Sequence, residues 1–190
     1  MSKPDAELIV LSQQGDETAF AQLVQRYQNK VYTLAVHLLG DREEGRDAAQ
    51  EVFIRVYNAL PRFRKEADFL PWLYTITANI VRDRWRRQQR EKGTIRVSLD
   101  EMTVELADHR FTPESVLVKK DVRLMVEKAV VSLPWDYRIP ILLRHTHELS
   151  YEEIADIMKI PLNTVKTRIR RGRLLLKDIL APMLEQRRDC

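Results

Sequence analysis

The segment "IPLNTVKTRIRRGRLLLK", residues 160–177, places Lys166, Arg168, Arg170, Arg171, Arg173 and Lys177 within about three helical turns and contains no acidic residue. Neither i,i+4 ion pairs nor the helix macrodipole uses that much charge, so the cations point to a polyanion outside the helix. At about 100° per residue, Val165, Ile169, Gly172 and Leu176 share a packing face, while Lys166, Arg170, Arg173 and Lys177 run beside it as a stripe. Thr167 and Arg171 lie farther round. Such a helix suits a major groove, where Arg and Lys read guanine edges and neutralise phosphates. The alternative is a basic amphipathic helix lying on an acidic protein surface.

The residues just upstream decide how that helix is presented. "SYEEIADIMKI" opens with Ser150 and carries Glu153 three residues on, a capping box, and Ile154, Ile157 and Met158 form an inward face. Pro161 ends this short helix. Asn163 then suits a left-handed turn and Thr164 a second N-cap, which together predict a helix-turn-helix.

A second cationic cluster differs in kind. "RDRWRRQQREKGTIR", residues 82–96, holds seven Lys/Arg against Asp83 and Glu91. In the segment leading into it, Leu73, Ile76 and Ile80 make a packing stripe, and Trp72, Asn79 and Arg86 align at i, i+7 and i+14 with Arg82 beside them. A ring, an amide and guanidinium groups on one face suit single-stranded nucleic acid: bases stack, amides read base edges and arginines hold phosphates. Trp72 reads equally as a core plug, and Phe63 as a loop anchor or a stacking partner.

These clusters need a scaffold, and every periodic segment offers a helical one. Phe20, Leu23, Val24, Tyr27, Val31, Leu34 and Leu38 make one apolar stripe; Ala48, Ala49, Val52, Phe53, Val56 and Leu60 make another, with Asp47, Glu51, Arg55 and Asn58 on the far side. Pro71 suits the first turn of a helix beginning near Leu70, and Pro134 starts another. No segment alternates with period two long enough for a sheet. Residues 93–114 lack helical spacing and read as a linker, whose reach of roughly 70 Å when extended matches the rise of about 20 base pairs. The expected architecture is all-α: two small helical domains, 1–92 and 115–190, joined by a flexible linker, the second containing the helix-turn-helix.

Composition agrees. With 190 residues, 32% of them charged, and no apolar run of membrane-spanning length, the chain reads as cytoplasmic, without membrane insertion. The start "MSKPDAELIV" lacks a signal-peptide layout. The single cysteine, Cys190, excludes a disulfide framework and reads as an inert terminal thiol. Excess charge sits in two patches, residues 82–96 and 163–177, which suggests two contacts with one polyanion.

Taken together, "DAAQEVFIRVY", "FLPWLYTITANIVRDRWRR" and "LPWDYRIPILLRHTHELSYEEIADIMKIPLNTVKTRIRRGRLLLK" resemble, in order and spacing, the sigma-70 family of bacterial transcription initiation factors. The absence of a middle domain is similar to the extracytoplasmic-function (ECF) group, and the match covers most of residues 15–180. The resemblance implies promoter-specific initiation with core RNA polymerase, involving the clamp helices and flap of its large subunits, and a stress-response role. It implies that Asp47, Gln50, Glu51 and Phe53 dock on the clamp helices. Phe63, Trp72, Asn79, Arg82 and Arg86 would capture flipped bases of the single-stranded −10 element. Lys166, Thr167, Arg168, Arg170, Arg171 and Arg173 would read the −35 duplex. An anti-sigma factor is a further implied partner. The chain departs from the family pattern at Gly45 and Arg46, at Pro71, and at Asn163, where a glycine is common.

Two other classes compete. A self-sufficient helix-turn-helix repressor or activator predicts tight binding of a palindrome by the free protein, and leaves the Trp72 face without a task. A nucleic-acid enzyme would use Asp47 and Glu51 to hold a metal, yet no further ligand is placed to complete the site. His145 and His147 read as a solvated pair. No catalytic residue, metal or cofactor is expected.

Overall fold

Local capping sets where the first helices begin in the computed structural model, which describes residues 3–64, 68–91 and 117–185. After α1 (Asp5–Gln13), the Asp16 side chain accepts from the amides of Thr18 and Ala19 and starts α2 (Glu17–Leu39). Asp41 does the same for α3 (Arg42–Ala59) through Glu43 and Glu44. A 3-10 turn at Leu60–Arg62 leads to α4 (Phe69–Glu91), with Pro71 in its first turn.

The expected stripes of α2 and α3 meet in a core that includes Leu23, Tyr27, Val31, Val52, Val56, Leu60 and Leu73. Gly45, a departure from the family pattern, has a packing reason. A Cβ there would stand 2.4 Å from Val36 Cγ2 and 3.0 Å from the Val36 backbone, so the α2–α3 crossing needs glycine.

The second half contains α5 (Leu117–Ser132), α6 (Trp135–His145), α7 (Tyr151–Met158) and α8 (Leu162–Glu185). Leu143, Ile154 and Val165 are its deepest members. No strand occurs among the described residues. The two halves share a core: Leu34, Leu38, Tyr74, Ala78 and Val81 from the first pack with Val130, Trp135, Ile139 and Leu143 from the second. The linker read at 93–114 and Cys190 lie outside the described residues.

Candidate nucleic-acid and polymerase interface

The helix-turn-helix forms with one change of detail. Ser150 Oγ accepts from the Glu153 amide while the Glu153 carboxylate accepts from the Ser150 amide, so the capping box is complete. Ile154 and Ile157 are buried and Met158 is half-buried. The left-handed residue is Lys159 (φ 54°, ψ 47°), not Asn163, and α8 already includes Asn163 and Thr164. Pro161 explains the shift: its fixed φ suits a helix entrance, and its carbonyl accepts from the amides of Thr164 and Val165. The reversal is therefore completed before Pro161.

On α8, Val165, Ile169 and Gly172 are buried as their spacing predicts, and Leu176 is half-buried. A Cβ at Gly172 would come within 2.5 Å of Ile141 Cδ1 and 3.2 Å of Tyr137 Cβ, so glycine lets α6 close on α8. Lys166, Thr167, Arg170, Arg171 and Arg173 are exposed. Arg168 is turned aside, 3.1 Å from the Asp136 carboxylate. Arg173 donates to His145 Nε2 at 3.0–3.2 Å. Burial, then the charges of Arg173 and Arg144, pull His145 below the usual imidazole range, which favours the neutral acceptor.

The α4 face is built differently. Asn79 and Arg86 are exposed, and Asn79 Oδ1 accepts from Arg82 at 2.9 Å. Trp72 is half-buried, its ring 4.7 Å from Phe63 and 5.6 Å from Phe69. Phe63 is only 7% exposed, so in this arrangement it anchors the turn before α4. Gln13 fixes the same turn by donating to the carbonyls of Leu60 and Phe63. Between the end of α3 and Trp72 lies a shallow cavity of about 330 Å³, lined by Arg55, Asn58, Ala59, Arg62, Phe63 and Trp72. Arg62 was not singled out by the sequence, because it lies in the 3-10 turn, where periodicity gives no direction.

Along the outside of α3, Asp47, Gln50 and Glu51 are exposed as expected, and Phe53 is half-buried against the core. Ile54 and Tyr57, 65% and 47% exposed, extend the same surface with apolar area. Their signal in the sequence was an apolar residue on the polar side of the stripe. Glu51 is held by Arg84 of α4 at 2.7 Å, and Glu44 by the same guanidinium at 3.4 Å.

His145 and His147 do not form the expected solvated pair. The helix ends at His145, and His147 turns inward, with Nδ1 2.7 Å from the Tyr74 hydroxyl. Burial lowers the His147 pKa to about 4, assisted by His37 and Lys30. Tyr74 is pushed well up by burial and stays protonated, so it donates to the imidazole. Among the described residues, no group of three His, Cys, Asp or Glu lies close enough to hold a metal ion, and no helix is long and apolar enough to cross a membrane.

Residues 23–91 match the family model Sigma-70 region 2, and residues 123–176 match Sigma-70, region 4. The chain is 34% identical over 186 residues to the RNA polymerase sigma-H factor of Pseudomonas aeruginosa, covering 96% of both chains. It is 36% identical to the ECF RNA polymerase sigma factor SigW of Bacillus subtilis, covering 87% of this chain and 91% of SigW. It is 34% identical to the ECF RNA polymerase sigma-E factor of Escherichia coli, covering 96% and 97%. Two solved structures share the fold. CnrH, in complex with the cytosolic domain of CnrY, has a TM-score of 0.69 at 22% identity and covers 94% of this chain and 97% of CnrH. RpoE of Bartonella quintana, in complex with the anti-sigma factor NepR, has a TM-score of 0.65 at 23% identity and covers 85% and 96%. The chain belongs to the ECF group of the sigma-70 family and serves RNA polymerase in promoter-specific transcription initiation.

Proposed function

We propose that the two halves divide promoter reading, with residues 1–92 docking polymerase and capturing the −10 strand and residues 115–190 reading the −35 duplex. The observation that carries this division is the exposed stripe of Lys166, Arg170 and Arg173 on the second helix of a capped helix-turn-helix. In this reading Lys166, Thr167, Arg170 and Arg171 meet base edges and phosphates. Arg168 and Arg173, drawn toward Asp136 and His145, serve phosphates at the flank.

For the −10 strand, Trp72, Asn79, Arg82 and Arg86 supply the stacking and backbone contacts. The cavity lined by Arg55, Asn58, Arg62 and Trp72 offers a flipped base a ring to stack on, an amide and two cations. Phe63, with its ring 4.7 Å away, packs against Trp72. Polymerase docking falls to Asp47, Gln50 and Glu51, with Ile54 and Tyr57 adding apolar area. The chain performs no reaction of its own and works beside polymerase in the cytoplasm. Residues 93–114 connect the halves. Because one structure of the same fold is a complex with an anti-sigma factor, such a protein is the regulator this reading expects.

The test is runoff transcription with core polymerase on genomic fragments, with and without the chain. New defined transcripts, whose upstream sequences share two elements, support the reading. Specific duplex binding by the chain alone, without new transcripts, would return it to the repressor class.

A further inference from the structure

α1 (Asp5–Gln13) carries none of the residues given a polymerase or nucleic-acid role above, yet it is fixed at both ends. At its start, the Asp5 carboxylate accepts from the Arg26 guanidinium and the Tyr27 hydroxyl of α2, and Leu8 and Ile9 are buried in the first-half core. At its end the backbone closes on itself. Gly15, at φ 94°, folds the chain back, so the amides of Gln14, Gly15 and Asp16 satisfy the carbonyls of Val10, Leu11 and Ser12. The Gln13 side chain reaches elsewhere. Its Nε2 donates to the Leu60 carbonyl at 2.9 Å and to the Phe63 carbonyl at 3.0 Å, 47 and 50 residues away. Both partners can only accept, which fixes the amide with its nitrogen toward the turn.

The turn that Gln13 holds has little of its own to hold it. It is a single 3-10 turn, Leu60–Arg62, closed by the bond from the Phe63 amide to the Leu60 carbonyl, and Pro61 has no amide to add another. The two clamped carbonyls bracket Pro61 and Arg62, and this short stretch carries much of the cavity. Arg62 lines it, and so does Phe63, whose ring lies 4.7 Å from Trp72 and 5.8 Å from Phe69. Arg62 is exposed, so the backbone beneath it, rather than packing, sets where its guanidinium can reach. The Leu60 carbonyl already accepts within the turn, so the bond from Gln13 fixes its place and does not rescue an orphan.

We propose that Gln13 is a positioning residue for −10 capture: it clamps the turn so that Arg62 and the Phe63–Trp72 pair stand around the cavity in one arrangement. The proposal rests on the reading of the cavity given above. In it, α1 serves base capture without touching nucleic acid. The effect is one of pre-organisation: a turn free to shift would have to be ordered as the base entered, and that ordering subtracts from affinity.

The test uses the full chain labelled with 5-fluorotryptophan, which gives fluorine resonances for Trp72, Trp85 and Trp135, the first assigned by Trp72→Phe. Gln13→Met keeps the length of the side chain and removes the donor. It should move the Trp72 resonance and leave those of Trp85 and Trp135 in place. On core polymerase it should weaken capture of a pre-opened −10 strand by about three- to tenfold, with −35 duplex affinity within about twofold. Gln13→Lys, which restores a donor, should return the resonance toward its wild-type position, and Gln14→Met, at the exposed neighbour, should leave both readings unchanged. In an Arg62→Ala background Gln13→Met should cost less than it does alone, because both changes act through one cavity. An unmoved Trp72 resonance, full additivity with Arg62→Ala, or equal losses at −10 and −35 with a fall in helicity would each overturn the proposal. If Arg62→Ala and Trp72→Ala leave strand capture unchanged, the reading of the cavity fails instead, and the fluorine shift still judges the clamp.

Discussion

The arginine-bearing helices α4 and α8 invite comparison because both carry dense positive charge, yet they hold it differently. On α8 the cations Lys166, Arg170 and Arg171 stand in solvent on a helix whose other face is buried, while Arg168 and Arg173 are drawn to Asp136 and His145. On α4 the arginines facing α3 and Asn79 are engaged, Arg84 with Glu51 and Glu44 and Arg82 with Asn79, while Arg86, Arg87 and Arg90 are exposed. Near its start, half-buried Trp72 lines a shallow cavity together with Arg55, Asn58 and Arg62. Charge alone therefore does not distinguish duplex from single-strand recognition. In the proposed division the neighbours of each arginine set its task, because a guanidinium paired with carboxylates, as Arg84 is, loses much of its long-range attraction and becomes a positioning device.

The sharpest break would come at α8. Lys166→Ala with Arg170→Ala should reduce affinity for −35 duplex by about 100-fold or more at moderate salt and lower the log–log salt slope by about 2. Filter binding across a salt series reads both, and an unchanged slope would remove this stripe from the DNA face. At α4, Trp72→Ala should slow strand opening by about tenfold or more, since stacking of one base contributes about 1–3 kcal/mol. Duplex −35 binding should stay within about twofold, and equal loss of both would return Trp72 to a purely packing role. A 2-aminopurine probe in the −10 segment follows the opening step.

Smaller effects sharpen the contrast. Asn58→Ala and Arg62→Ala, at the cavity, should each weaken capture of a pre-opened −10 strand by about three- to tenfold without altering the salt slope at −35. Equilibrium binding to forked templates measures this, and a loss at −35 of the same size would contradict the assigned division. Acidification gives the mildest test, where Tyr74 of the first half meets His147 of the second. His147 titrates at about 4 in the folded chain and near 6.5 when unfolded, so between those values the unfolded chain binds more protons. Stability should therefore fall as pH is lowered from about 6.5 toward 4 and should not depend on this group above that window. The protonated ring would face Tyr74, His37 and Lys30. Urea midpoints at pH 7 and pH 5 should differ more for the wild type than for His147→Gln.

Much of the candidate site was legible because it rests on local rules. The Ser150–Glu153 capping box, the buried Val165–Ile169–Gly172 face and the exposed stripe of α8 all depend on residues three or four apart. The turn was misplaced by a few residues because Pro161 can open a helix as well as close one, and only the φ of Lys159 shows which occurs. Phe63 and Trp72 were ambiguous between anchor and stacking partner, since an aromatic side chain serves burial and base stacking by the same apolar face. In the structure Phe63 is buried and Trp72 half-buried, with ring centroids 4.7 Å apart, and the stacking role proposed above falls to Trp72.

The sequence by itself determined an all-α chain, the two basic surfaces and the order of elements that marks the family, because helical periodicity and capping are encoded within a few residues. The tertiary structure alone decided which arginines are engaged, why Gly45 replaces a residue with a side chain, and that the halves share one core. Arg138 shows the reason most plainly. Read along the chain it is one more cation in an amphipathic helix, yet it is buried, and its hydrogen bond to the Leu38 carbonyl spans 100 residues of sequence. A contact of that separation leaves no periodic trace, since what selects it is the unsatisfied end of another helix.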